Sequence, residues 1–139
     1  MSNNDVTLTP YIHFAGNCEE ALNTYQYILG GRFEIENRYD NPNMNAPEEY
    51  QDKILHARFY KGNCLFMACD VFPGQTVQSG MNVALSLDFK ELQQAKNVFS
   101  AFAEDGEAHV PFEKQFWGDW HGNLTDQYGI RWMINHVEN

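Results

Sequence analysis

Apolar and polar residues alternate through Ile130-Arg131-Trp132-Met133-Ile134-Asn135. A two-residue period predicts a strand with Ile130, Trp132 and Ile134 on one face and Arg131, Met133 and Asn135 on the other. An aromatic run from Phe116 to Leu124 precedes it, and Asp126-Gln127-Tyr128-Gly129 between them supplies the turn of a hairpin. The same reasoning predicts strands over Leu8 to Phe14, Phe33 to Tyr39, Ile54 to Tyr60, Cys64 to Val71, Met81 to Leu87 and Ala108 to Phe112. Two stretches have the helical period instead. Asn17 with Glu20 forms a capping-box pair ahead of a stripe of Ala21, Leu22, Tyr25, Ile28 and Leu29, which Gly30-Gly31 ends. Asp88 with Glu91 stands in the same relation to Leu92, Ala95, Phe99 and Phe102, and Asp105-Gly106 ends that helix. Segment 40–51 contains two prolines and reads as a loop, and segment 72–80 as a linker.

Each half therefore runs strand, helix, strand, strand, strand. The chain is predicted to be α+β, with two βαβββ modules at about 6–71 and about 81–136, joined by the linker at 72–80 into one domain spanning 1–139. The helix stripes cover one face of each sheet. Alternation assigns the free faces to His56, Arg58 and Tyr60; to Phe66, Ala68 and Asp70; to Asn82, Ala84 and Ser86; and to Arg131, Met133 and Asn135.

Composition narrows the partners. Nineteen acidic residues against nine basic ones give a formal charge of −10, a surface that repels phosphate backbones and argues against nucleic acid as a partner. No apolar run approaches the roughly 18 residues that cross a bilayer, and Met1-Ser2-Asn3-Asn4-Asp5 is not an export signal. A cytoplasmic protein with no membrane partner is expected. Three cysteines cannot close a disulfide framework, and Cys64 and Cys69 point to opposite sides of their strand, so reduced thiols are expected.

Phe116-Trp117-Gly118, the Asp126 to Gly129 turn and Trp132-Met133-Ile134-Asn135 resemble the C-terminal signature of the PhnB-like family. Gly16-Asn17-Cys18-Glu19-Glu20-Ala21 ahead of Tyr25, and Lys53-Ile54-Leu55-His56-Ala57-Arg58, extend the resemblance over nearly the whole chain. That family belongs to the vicinal oxygen chelate superfamily, with glyoxalase I, the bleomycin-resistance proteins and extradiol dioxygenases. The resemblance implies a glyoxalase/bleomycin-resistance-like fold in which the modules form an open curved barrel around a small-molecule ligand, with the helices outside. It also implies a homodimer. Most enzymes of the superfamily hold a divalent metal with His, Glu or Gln, one on each of four inner strands. Carried over by local register, those positions fall on Pro10, on Phe66 (Met67 if the register slips by one), on Asn82 and on Met133. Proline and phenylalanine bind no such metal, methionine sulfur is too soft and asparagine is a weak ligand by itself. No metal and no cofactor are therefore expected.

Other templates are missing. There is no Gly-x-Ser-x-Gly elbow, no Gly-x-x-x-x-Gly-Lys loop and no Gly-x-Gly-x-x-Gly after a strand. Proteins with this signature carry a demethylubiquinone methyltransferase-like label, and the lack of a glycine-rich strand-to-helix loop argues against that activity. His13 is expected near a helix, and His109 and His136 at the surface. That leaves His56 and His121 as candidate contacts, with Asp70 as a carboxylate partner. Trp117, with Phe116 and Trp120, either stacks a planar ligand or fills core and interface. Arg58 and Arg131 either grip an anion or pair internally with Asp70 or a partner chain's acids. The candidate ligand-binding set is thus His56, Arg58, Phe66, Asp70, Asn82, Trp117, His121, Arg131 and Met133. Two classes of function fit: a metal-free binder of a small, partly aromatic or anionic molecule, or a superfamily enzyme of lyase, isomerase or dioxygenase type with a non-standard metal or acid–base site.

Overall fold

The computed structural model describes residues 5–138. The chain divides into two compact units, Met1–Val77 and Gln78–Asn139. The first contains β1 (Tyr11–Phe14), α1 (Cys18–Leu29), β2 (Arg32–Arg38), β3 (Ile54–Lys61) and β4 (Cys64–Asp70). The second contains β5 (Leu85–Phe89), α2 (Leu92–Glu104), β6 (Glu107–Lys114), β7 (Trp120–Thr125) and β8 (Arg131–His136). Each is a βαβββ module. Its four-stranded sheet runs β1-β4-β3-β2 in the first and β5-β8-β7-β6 in the second. β1 pairs parallel with β4, and β5 with β8; the remaining pairs are antiparallel. The fold is α+β, and neither sheet closes on itself.

The helices lie where their apolar stripes require. Cys18, Ala21, Leu22, Tyr25 and Leu29 of α1 are buried, and α1 packs on β2, β3 and β4. Ala95, Val98, Phe99 and Phe102 of α2 are buried against the second sheet. Gly30, at φ 78 and ψ −165, takes the chain out of α1 through a positive-φ conformation that glycine adopts freely. Segment 40–51 contains two short 3-10 turns, Pro42–Met44 and Glu48–Tyr50.

The helix starts differ from expectation. Asn17 occupies the first cap, but its side chain makes no cap hydrogen bond. Asp70 takes that role from the end of β4: its Oδ1 accepts from Gly16 N–H and Cys18 N–H, both at 2.9 Å. The second helix begins after Glu91, three residues beyond Asp88, because Asp88 is still in β5 and paired with Asn135. β5 in turn begins at Leu85 rather than Met81. Met81 and Val83 are 58% and 72% exposed, and the Met81 carbonyl accepts from the Arg131 side chain instead of a strand partner.

Candidate functional site

Register decides which side chains share a face. Ala57 pairs with Ala68 and Phe59 with Phe66, while Arg58 pairs with Met67 and Tyr60 with Leu65. Phe66 is therefore on the helix side, stacked on Phe59 at 4.9 Å and edge-on to Tyr25 at 5.9 Å. This corrects the placement of Phe66, Ala68 and Asp70 on the free face: all three are buried. Residues 65 to 69 alternate between two mostly apolar faces, so period alone could not say which was inner; the Tyr25–Phe66 and Phe59–Phe66 contacts decide it. Asp70 is a structural acceptor, with Ile54 N–H on its Oδ2 at 2.9 Å in addition to the two amides at α1. It pairs with neither arginine.

The helix-free face of the first unit carries His56, Arg58 and Met67, together with Tyr11 and His13, whose strand neighbours Ile12 and Phe14 are buried. His13 thus lies away from the helix, against expectation, stacked on Tyr11 at 5.1 Å. The Tyr11 hydroxyl lies 2.8 Å from His56 Nδ1. Arg58 Nε donates to Glu36, so its charge is answered within the unit. That hydrogen bond holds the guanidinium pKa above its ordinary value.

The helix-free face of the second unit carries a connected network. His121 Nδ1 lies 2.7 Å from Asn135 Oδ1, and Asn123 Nδ2 lies 3.2 Å from His121 Nε2. Asn135 Nδ2 donates to Ser86 Oγ at 2.9 Å and to Asp88 Oδ1 at 3.1 Å. With those donations Asn135 presents its oxygen to His121, so the imidazole proton sits on Nδ1 and Nε2 accepts from Asn123. Arg131 follows. Its Nη1 donates to the Met81 carbonyl at 2.7 Å and its Nη2 reaches Asn123 Oδ1 at 3.4 Å. Its Nε is buried and meets no acceptor. Met133 sits on the same face between Ser86 and Asn123, its register partners.

The aromatic group expected around Trp117 is divided. Phe116 and Trp117, 98% and 56% exposed, stand on the turn between β6 and β7. Trp120 lies on the helix side, under Lys96 of α2 at 4.9 Å and with its Nε1 donating to Glu138. Of Phe116, Trp117, Trp120 and His121, only His121 faces the network. Asn82 is exposed and lies before β5, in no strand. His109 is exposed beside Thr125 Oγ1, whereas His136 is half-buried with its Nδ1 2.9 Å from the Phe89 carbonyl.

The observed register also tests the superfamily's metal. On β1 and β4 of the first unit, the helix-free partners are Tyr11 with Met67 and His13 with Cys69. On β5 and β8 of the second, they are Ser86 with Met133 and Asp88 with Asn135. Neither the phenol and thioether of Tyr11 and Met67 nor the alcohol and thioether of Ser86 and Met133 suit a hard or borderline divalent ion. Among the described residues, no group of three or more His, Cys, Asp or Glu could hold one either.

Tyr11, Glu36 and Asn123 escaped the sequence analysis. Tyr11 has the parity of His13 against buried Ile12 and Phe14, and Asn123 that of His121 against Gly122 and Leu124, so alternation could have found both. Glu36 reaches Arg58 through a break in register between Ile35 and Asn37, for which the sequence has no signal.

Residues 6–135 match the family described as 3-demethylubiquinone-9 3-methyltransferase. Protein YjdN of Escherichia coli K12 is 31% identical over 94% of this chain and 95% of its own length. Protein PA1353 of Pseudomonas aeruginosa, 32% identical, superposes with a TM-score of 0.83 over 97% of this chain and all of its own. The PhnB protein of Bacillus cereus, 26% identical, does so at 0.73 over 95% of this chain and all of its own. A glyoxalase/bleomycin resistance protein/dioxygenase family enzyme from Burkholderia phytofirmans shares the fold at 14% identity and a TM-score of 0.62, over 92% of this chain and 97% of its own. No helix among the described residues is long and apolar enough to cross a membrane. The chain belongs to the PhnB-like family, the one described as 3-demethylubiquinone-9 3-methyltransferase, and has the fold of the glyoxalase/bleomycin-resistance superfamily.

Proposed function

We propose that this protein binds a small, partly aromatic, anionic molecule without a metal, on the helix-free face that carries Arg131. The observation that carries the proposal is the Arg131 guanidinium, whose buried Nε has no acceptor and whose neighbouring Nη2 makes only a 3.4 Å contact. A buried donor left unpaired costs on the order of 1–3 kcal/mol. That Nε–Nη2 edge is the one a carboxylate engages with two parallel hydrogen bonds. Arg58, already paired with Glu36, offers less. Met133 gives the ligand apolar contact, and the His121 network fixes the orientation of the polar groups around it.

The Tyr11–Met67 pair in one unit and the Ser86–Met133 pair in the other support binding without metal, and nothing at either helix start resembles a glycine-rich cofactor loop. We further propose that the two modules work as one domain, that the chain pairs as a cytoplasmic homodimer, and that a second copy covers strand edges such as β2 or β6. Light scattering would then give twice the chain mass.

A thermal-shift screen of aromatic carboxylates tests the binding proposal, since a ligand specific for the folded state stabilises it by RT ln(1 + [L]/Kd). Stabilisers are expected for the natural protein. They should fail with Arg131→Gln and weaken with Arg131→Lys, which keeps the charge but loses the planar edge. Stabilisation undiminished in Arg131→Gln would overturn the proposal.

A further inference from the structure

The helix-free face of the first unit holds a second polar arrangement that the arginine edge does not use. Tyr11 of β1 reaches across β4 so that its hydroxyl lies 2.8 Å from His56 Nδ1 on β3. The other ring nitrogen, Nε2, is 3.9 Å from Glu36 Oε1, while Glu36 Oε2 accepts from Arg58 Nε. One carboxylate thus hydrogen-bonds the guanidinium and lies near the imidazole without bonding it. Its place depends on the break in register at Glu36, between Ile35 and Asn37.

Proton positions follow from the neighbours. Glu36 favours the imidazole proton on Nε2, which leaves Nδ1 to accept the Tyr11 O–H. Burial, followed by the nearby Cys69 thiol, pushes the Tyr11 hydroxyl up to about 12, so the phenol keeps its proton at neutral pH. Tyr11 is 42% exposed, and an oxygen that donates once can still accept from outside. Other charged or titratable groups on the same face include His13 from β1, Arg32 and Glu34 from β2, Tyr60 from β3 and Cys69 from β4; α1 packs on the opposite face.

We propose that Tyr11, His56 and Glu36 form a proton-accepting site for a small phenol or enol. The ligand O–H donates to Tyr11 Oη. On transfer that bond breaks and a new O–H bond forms at Tyr11, while the original Tyr11 O–H bond breaks and an N–H bond forms at His56 Nδ1. The ligand is then a phenolate or enolate hydrogen-bonded to a neutral tyrosine, and His56 is an imidazolium beside Glu36. No electrons enter or leave, and tyrosinate never forms. A carboxylic acid does not fit this site, because it is already ionised near neutral pH and brings no proton. The ring ledge of Tyr11 and His13, with Met67 beside it, suits a flat ligand. The site is in a different unit from Arg131 and stands or falls separately from the carboxylate proposal.

4-Nitrophenol is a direct probe, since its phenolate absorbs in the visible and its phenol does not. At a pH where the free probe is mostly protonated, the full chain is expected to raise the phenolate band saturably. His56→Gln and Tyr11→Phe should abolish the gain and Glu36→Gln should reduce it, whereas His109→Gln, at an exposed position in the second unit, should leave it unchanged. Urea midpoints near that of the natural protein identify variants that have kept the fold. Nitrogen-15 NMR of the natural protein adds a readout that needs no variant, with His56 expected as the Nε2–H tautomer. No phenolate gain at millimolar probe, a gain that survives both His56→Gln and Tyr11→Phe, or an Nδ1–H tautomer would overturn the proposal.

Discussion

Asp70 ties three elements together at one carboxylate: Gly16 and Cys18 at the start of α1, Ile54 at the start of β3, and β4 itself. Replacing it with alanine leaves three amides without that acceptor. At on the order of 1 kcal/mol or more for each, Asp70→Ala should cost roughly 3 kcal/mol, read as a lower urea midpoint with an unchanged slope. Asp70→Asn should cost less, because one oxygen can still serve the α1 amides. An unchanged midpoint in Asp70→Ala would show that the contact is idle. Tyr39, which donates to the Asp70 carbonyl at 2.7 Å, carries a pH signature. Burial first, then Cys69, pushes its hydroxyl from 10.0 up to about 12. The folded value is the higher one, so the stabilisation is complete below the unfolded pKa and is lost as pH rises through the folded one. Urea unfolding at about pH 7 and about pH 11 should show the natural protein weaker at the higher pH, with a narrower gap in Tyr39→Phe. Tyr11 is raised to about 12 and Tyr50 is raised as well, so the gap should not vanish. Neither the Asp70 nor the Tyr39 role has a sequence signal, because each depends on a partner far along the chain.

Among elements, the β6–β7 pair and α2 meet at Gly122. A Cβ there would lie 2.8 Å from Phe112 Cα and 2.8 Å from the Phe99 ring. Phe99 and Phe112 stack at 5.8 Å, so the glycine is the gap that lets the helix seat on the sheet. Gly122→Ala should therefore destabilise by about 1–3 kcal/mol, as overpacking does. A urea midpoint equal to that of the natural protein would show that the helix can shift freely. The order of strands and helices was legible because it rests on local period: Tyr25 and Phe99 fall on helical stripes, and Trp132 and Ile134 on the buried parity of β8. Boundaries and faces were less legible where local period is ambiguous. Cys64 to Asp70 is apolar on both parities until its terminal aspartate, and Met81 to Ala84 has strand-like alternation but no partner strand. At the site, the faces of Arg131, Met133 and Asn135 followed from alternation. The His121–Asn123 link and the Glu36 contact needed tertiary register.

At the scale of the whole chain, the two modules repeat one topology but give their free faces different chemistry. Charge on the first is closed internally between Arg58 and Glu36, whereas the second leaves the Arg131 Nε without an acceptor. An excess of acidic residues, −10 in formal charge, surrounds these groups and makes a specifically placed guanidinium a more distinctive anion contact than it would be on a basic protein. The helix-free pairs Tyr11–Met67 in the first unit and Ser86–Met133 in the second are poor metal ligands, and the account depends on binding without a metal. Metal content of protein purified without chelators tests that most directly. The account predicts far less than one Mn²⁺, Fe²⁺, Ni²⁺ or Zn²⁺ per chain, whereas one bound ion per chain, lost on His56→Ala or His121→Ala, would contradict it.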